Sequence, residues 1–208
     1  MIRLQGKLER NVHIACSGGV DSMAVTDFLS NSHNCNLLFF DHGTQTSTDA
    51  KEFIQDYVSD KNSVYRLAPV ATTLSVQFGS ISRSKDKAES WEEYWRNERY
   101  AFFQSIGEEV ITCHHLDDCV ETWIWSSMHG KGKIIPYRNR KVVRPFRLNR
   151  KTEFVNWCRT HNVQWIEDTS NEDTNHMRNY IRKEVVDKCM VINPGLSTVI
   201  RKKVLEDE

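Results

Sequence analysis

Four short apolar runs, Val12–Cys16, Leu37–Phe40, Val64–Leu67 and Val110–Cys113, alternate with helix-length amphipathic segments. The predicted helices are Ser22–Leu29, Asp49–Ser59, Trp91–Ser105 and Asp118–Met128. The third opens on Ser90 with Glu93 three residues later, a capping-box pattern. Strand-helix alternation predicts an α/β, Rossmann-like parallel sheet with flanking helices. Right-handed crossovers then bring the C-terminal ends of the strands to one edge. Three polar clusters directly follow predicted strands: Ser17–Ser22, Asp41–Gly43 and His114–Asp118. They converge on the sheet edge where folds of this class bind ligands.

The first cluster reads SGGVDS. Gly18 and Gly19 lack Cβ atoms, so backbone N–H groups can turn toward an anion. The following helix start adds unpaired donors and a favourable dipole, and Ser17 and Ser22 add hydroxyls. Val20 and Asp21 complete the loop before the predicted helix. A carboxylate beside phosphates fits a shared Mg²⁺; the simpler alternative is that Asp21 caps the helix at a tight glycine turn. The chain has neither G-x-x-x-x-G-K-[ST] nor G-x-G-x-x-G, which argues against a Walker-type γ-phosphate site and a dinucleotide site.

The cluster after the fourth strand continues as HHLDDCVET. In a helix, His114, Asp117, Asp118 and Glu121 fall at i, i+3, i+4 and i+7 and share a face. Crowded carboxylates repel unless cations bind, and Mg²⁺ or a substrate ammonium would suit. The structural alternative is a helix start with Asp117 as N-cap. A zinc site suits this setting less than Mg²⁺.

The 28 basic and 28 acidic residues balance, so net charge names no partner, but its distribution is uneven. Nine Lys/Arg residues fall between Thr122 and Thr152 with no Asp or Glu. Lys131, Lys133, Arg138, Arg140 and Arg144 belong to this segment (131–151), which fits contact with an RNA backbone. Tyr137 and Phe146 offer rings for stacking. Arg178 and Arg182, one helical turn apart, can clamp a phosphate or pair with Glu172 and Glu184. Trp91, Trp95 and Trp157 are spaced for burial rather than for stacking on bases. Residues 70–89 read as a polar loop. A helix is expected at Thr152–Thr160 and another near His176–Val186, with a turn-rich stretch between them; Asn193–Gly195 breaks the chain before a charged tail. Residues 1–186 therefore form the expected main domain, and 187–208 a short helical appendage or tail. Six cysteines include no C-x-x-C pair, which argues against a zinc ribbon or cysteine-held cluster. The charged N-terminus lacks a signal sequence and no apolar run reaches the ~20 residues of a membrane span. A soluble cytoplasmic protein with reduced thiols is expected.

SGGVDS resembles the pyrophosphate loop of the PP-loop ATPases. GEEVITCHHLDDCVET resembles the tRNA(Ile)-lysidine synthetase pattern A-H-H-x-D-D-Q-x-E-T, and FFDHG its second-strand motif. WRNERY is similar to A-R-x-x-R-Y, aligning Arg96, Arg99 and Tyr100. VVRPFRLNRKTEF aligns Arg144 and Pro145 with an R-P-L stretch. EDTSNEDTNHMRNYIR is similar to D-P-S-N-x-D followed by R-N-x-x-R, aligning Asp168, Ser170, Asn171, Asp173, Arg178, Asn179 and Arg182. The resemblance spans roughly residues 10–186.

It implies ATP with Mg²⁺ as the needed cofactors, and a CAU-anticodon isoleucine tRNA and free lysine as partners. ATP adenylates the C2 oxygen of the wobble cytidine and releases pyrophosphate; the lysine ε-amine then attacks C2 and expels AMP. Ser17–Ser22 with Asp41 and His42 would bind ATP, and Asp21 and Asp118 the metal. Asp118 is expected to be the base, with Glu121 and Asp117 as lysine or metal contacts. His114 would touch phosphate or cytidine, and Arg96 or Arg99 would neutralise the α-phosphate. Departures are Thr44–Gln45 after DHG where Leu-Arg is frequent, Cys119 in place of Gln and Thr169 in place of Pro. The family adds C-terminal domains that grip tRNA; a second subunit, as in a homodimer, or a smaller recognition surface would compensate here, and weaker discrimination between tRNAs is expected. The alternatives are another adenylating tRNA-modifying enzyme and a non-catalytic tRNA-binding module.

Overall fold

The computed structural model describes residues 1–65, 72–167 and 177–207. Strand β1 (Asn11–Ala15) leads into helix α1 (Val20–Ser30), β2 (Asn34–Asp41) into α2 (Gln45–Tyr65), and β3 (Leu74–Ser80) into α3 (Trp91–Ser105). Two-residue β4 (Val110–Ile111) precedes α4 (Leu116–Met128); a hairpin, β5 (Arg138–Asn139) and β6 (Val142–Val143), precedes α5 (Lys151–Thr160). The sheet order is β3-β2-β1-β4-β6-β5. The pairings β1–β2, β1–β4, β2–β3 and β4–β6 are parallel, and only β5 runs antiparallel, against β6. This is the expected α/β fold.

Both sheet faces are covered, and the pleat allots side chains between them. Cys35, Leu37, Phe39, Ile111 and Val143 join the core with Met23 and Val25 of α1, Ile54 of α2 and Phe154 of α5. Their neighbours Leu38, Val110 and Val142 join Phe103 of α3 on the other side. Strand order reverses at β1, which lies between β2 and β4. The loops leaving β1 and β4 therefore flank the crevice where open α/β sheets take ligands.

Two expectations change. The third strand is not Val64–Leu67: Val64 and Tyr65 fall within α2, and Arg66 and Leu67 lie outside the described residues. The strand is Leu74–Ser80, inside the stretch expected to be a loop. Leu74, Val76 and Phe78 alternate with polar or small residues, and Leu74 is buried while Ser75 and Gln77 are exposed. An edge strand whose larger apolar side chains face only one side of the sheet needs only that alternation. Within the basic segment, Val142 and Val143 extend the sheet, in register with Val110 and Ile111.

The C-terminal segment continues as α6 (Met177–Tyr180), a π-helical turn (Ile181–Val185), α7 (Val186–Ile192) and α8 (Leu196–Glu206). Helix α8 lies in the segment 187–208, and its apolar residues pack on the main body. Leu196, Ile200 and Val204 recur at helical spacing and bury against Leu116, Val120 and Ile124 of α4. Arg147, fully buried, donates to Asp207 at 2.7 Å. No helix among the described residues is long and apolar enough to cross a membrane.

Candidate active site

The glycine loop is braced from within. Gly18 has φ +81°, a conformation that strains residues with a Cβ. The Ser22 hydroxyl donates to Gly19 O at 2.9 Å and accepts from the Ser17 amide at 3.2 Å. Ser22 is thus a brace rather than the free donor expected. Gly19 is the N-cap of α1 and no side chain caps this end, so first-turn amides stay available to an anion. From the far side Ile166 N donates to Gly18 O at 2.9 Å.

Next to the loop stands the start of α4. Its N-cap is His115, not Asp117. His115 Nδ1 accepts from the Asp118 amide at 3.2 Å, and Asp118 Oδ2 accepts from the His115 amide at 2.9 Å. With Nδ1 acting as acceptor, a neutral ring carries its proton on Nε2. That atom lies 3.7 Å from Asp21 Oδ2. The expected four-residue face is therefore split. His114 precedes the helix, with Nδ1 3.0 Å from Thr112 Oγ1, and Asp117 Oδ2 accepts from the Lys151 amide at 2.7 Å. Asp118 and Glu121 remain together.

Those two carboxylates are met by the two arginines of the C-terminal helices. Arg178 donates to Asp118 Oδ1 at 2.7 Å and Glu121 Oε2 at 3.2 Å. Arg182 donates to Glu121 Oε1 at 2.6 Å and Oε2 at 3.1 Å. The proposed partner Glu172 lies outside the described residues, and Glu184 sits 4.0 Å from Lys188 instead. Burial alone would raise the Asp118 pKa, but His115, Arg178 and His114 together hold it well below the usual carboxylate range. A carboxylate so firmly ionised, with both oxygens engaged, is a weak proton acceptor; the geometry weighs against Asp118 as the base and makes it an anchor for arginine. Asp21 is its opposite. Burial raises its pKa, opposed by His115 and Lys151, and its buried Oδ1 has no hydrogen-bond partner among the described residues.

A cleft of about 640 Å³ opens beside this cluster, lined by His114 and Arg178. Among the described residues its basic lining is Arg96, Arg99, Lys131, Lys133, Arg144 and Arg178, against a single acid, Glu92. Burial lowers the Arg99 pKa. Arg96 is exposed, its guanidinium 5.5 Å from the Tyr100 ring centre. Asp41 and His42 sit at the end of β2: Asp41 Oδ1 accepts from the Gly43 amide at 2.7 Å, and His42 packs between Phe40 and Trp95.

The RNA-facing set is divided by burial. Lys131, Lys133, Arg138 and Arg140 are exposed, Arg138 being paired with Glu109. Arg144 is buried, donating to Pro136 O at 3.0 Å and the Tyr100 hydroxyl at 3.2 Å. Phe146 is fully buried beside Phe28 and Phe154, so it cannot stack on a base. Trp91, expected in the core, is 59% exposed. Asp168, Thr169, Ser170, Asn171 and Asp173 lie outside the described residues.

The PP-loop domain family profile matches residues 3–189. This chain belongs to the PP-loop domain family. It is 30% identical over 198 residues to the tRNA(Ile)-lysidine synthase of Persephonella marina, covering 88% of this chain and 42% of that protein. It is 25% identical to that of Vibrio parahaemolyticus over 210 residues, covering 93% of this chain and 46% of the relative. The chain thus spans less than half the length of these relatives. Its fold is similar to the U34-tRNA thiolase NcsA from Methanococcus maripaludis with its [4Fe-4S] cluster, with TM-score 0.73 and 12% identity over 96% of this chain and 73% of that one.

Ser17–Ser22, the segment expected to be the PP-loop, lies at the β1/β4 switch point, and the Asp21 oxygen without a hydrogen-bond partner among the described residues is the one to test against Mg²⁺. No three or more His, Cys, Asp or Glu side chains among the described residues form a metal cage. Mg²⁺ needs none: it takes one or two carboxylates and fills its remaining positions with water and phosphate. Asp21 fits that demand; Asp118, with both oxygens occupied, fits it less well. Two contributors to the PP-loop site were missed from sequence. His115 was hidden beside His114, although an Asp three residues after a possible cap is a capping-box signal. Ile166 acts through its backbone, and no residue-type signal could have found it.

Proposed function

We propose that this PP-loop protein is an ATP-dependent tRNA-modifying enzyme that adenylates the wobble cytidine of a CAU-anticodon isoleucine tRNA and attaches free lysine at C2. The observation that carries this reading is the juxtaposition, at one sheet edge, of the glycine loop, Asp21 with its buried Oδ1, the Asp118–Glu121–Arg178–Arg182 cluster and the basic cleft. The names of the relatives support the same chemistry.

In this reading the uncapped α1 amides and Ser17 hold the β- and γ-phosphates, so the departing pyrophosphate leaves into preset donors. When bound at Asp21, Mg²⁺ would supply charge neutralisation for that leaving group. Arg178 belongs to both the acidic cluster and the cleft, which suits it to meet the charge of the α-phosphate. Lys131 and Lys133 hold RNA phosphates at the cleft. The Asp118 and Glu121 side chains attract the lysine ammonium, which must exchange with an arginine to reach them.

Burial raises the pKa of both Cys16 and Cys113, the thiols that flank the loop. Neutral thiols are poor nucleophiles, which weighs against a thiolation reading. Incubating the protein with ATP, Mg²⁺, radiolabelled lysine and a CAU-anticodon tRNA transcript tests the proposal. Label on RNA that is lost in Asp118→Asn supports it. Tight tRNA binding with pyrophosphate release but no lysine incorporation would point to another adenylating enzyme, and binding without either to a non-catalytic module.

A further inference from the structure

The strongest feature that the adenylation chemistry leaves unused is a column of aromatic rings on α3. Phe40, buried at the end of β2, packs against His42 with ring centres 5.1 Å apart. His42 lies 5.8 Å from Trp95, and Trp95 lies 5.5 Å from Trp91 at an interplanar angle of 38°. The column therefore climbs from the sheet to the surface, where Trp91 is 59% exposed. Trp95, its half-buried member, lines the basic cleft beside Arg96 and Arg99.

We propose that Trp95, backed by Trp91 and His42, is a stacking platform for an unpaired RNA base that flanks the nucleotide being modified. This rests on the reading of the protein as a tRNA-modifying enzyme. Two physical features converge on it. Exposed Arg96, Lys131 and Lys133 line the cleft, against the single acid Glu92 among the described residues, which makes it complementary to a nucleic-acid backbone. Rigid indole faces beside such a groove bind single-stranded nucleic acid, because every base has a π-face and stacking is sequence-tolerant. Wobble chemistry requires the loop to be opened so that its target base leaves the stack. A neighbouring base left without its stacking partner regains one on Trp95. The column is anchored on β2 through Phe40 and His42, so the platform is preset rather than formed on binding. A column that served only to fasten α3 to the sheet would require neither the exposure of Trp91 nor a position for Trp95 in the cleft wall.

The test uses the full chain and a fluorescein-labelled anticodon stem-loop, with affinity read by anisotropy at fixed salt. Each loop nucleotide is made abasic in turn, and each probe is measured against wild type, Trp95→Leu and Trp95→Phe. Thermal melts report folding of both variants. One abasic position should lose roughly 5- to 150-fold in affinity for wild type, the range for one stacked base. Trp95→Leu should lose a similar factor for the intact loop and nothing further for that abasic probe, whereas Trp95→Phe should recover most of the loss. The salt dependence of binding should be unchanged in Trp95→Leu, since no phosphate contact is removed. Equal affinity of wild type and Trp95→Leu for the intact loop overturns the platform alone. So does an abasic loss that is the same in both proteins. A wild-type protein that binds no stem-loop overturns both the platform and the tRNA reading beneath it.

Discussion

Arg182 Nε lies 2.6 Å from Glu121 Oε1, which joins the π-helical turn after α6 to the middle of α4. Arg178 shares the same carboxylate, so Glu121, 4% exposed, is the hub of the cluster. Removing the carboxylate that both arginines share costs about 2–3 kcal/mol, since Arg178 and Arg182 are partly exposed and both still reach Asp118. Glu121→Gln is expected to destabilise the fold by that order. Arg182→Gln should cost less, about 1–2 kcal/mol, because its side chain is 30% exposed and Arg178 still pairs with Glu121. Urea titration with an unchanged m-value measures both; equal losses would mean that Glu121 is not the hub.

His114 sets an acid limit on stability. Burial lowers its pKa to about 3, opposed by Asp118. An unfolded histidine takes up a proton near pH 6.5. Between these values the unfolded chain binds the proton and the folded one does not, so stability falls as pH drops through that window. Asp118 adds a loss of the same sign at lower pH, because its folded pKa lies below the unfolded one. His114→Gln should flatten the slope between about pH 6 and 4 and leave the loss at lower pH in place. An unaltered profile would show that His114 is not buried in its neutral form.

Gly79 is required by a neighbour rather than by its own backbone. A Cβ built there would lie 2.5 Å from Cγ of the Phe102 ring. The edge strand and α3 therefore approach more closely than a methyl group permits. Gly79→Ala is expected to destabilise by about 1–3 kcal/mol through overpacking. Phe102→Leu in the same chain should recover part of that loss. A thermodynamic cycle on the two positions checks it, and simple additivity would rule out the contact as the cause.

The fold was legible where hydrophobic periodicity was unambiguous. Trp91–Ser105 was placed to the residue, and the Ser90 side chain accepts from the Glu93 amide at 3.1 Å, as the capping pattern implied. Leu74–Ser80 was passed over because half its residues are polar or glycine, which an edge strand tolerates and a propensity reading penalises. The loops of the site were legible because their residue types are unusual after a strand. Their interplay was not: the Arg178 and Arg182 contacts with Asp118 and Glu121 span about sixty residues of sequence, a distance at which spacing carries no information. Burial also reassigned residues that charge alone had placed on the surface, as with Arg144.

Asp21 offers a direct test of the metal assignment. Its Oδ1 is buried and without a partner among the described residues, and burial raises its pKa. The folded state therefore retains a proton on Asp21 after the unfolded chain has released it, and this group's contribution falls as pH rises from about 4 through the raised folded value. Without ligands, Asp21→Asn should remove that slope and leave Tm at neutral pH unchanged or higher. With Mg²⁺ and an ATP analogue that resists α–β cleavage, wild type should gain stability by mass action, about 2.7 kcal/mol at a hundredfold excess over Kd. In Asp21→Asn the Mg²⁺-dependent part of that gain should vanish, while any metal-free nucleotide effect persists through the PP-loop amides. Calorimetric melts with and without Mg²⁺ separate the two. A variant that retains the full Mg²⁺ increment would move the metal to another carboxylate, Asp118 first, and would leave the unpartnered Oδ1 of Asp21 without a ligand to explain it.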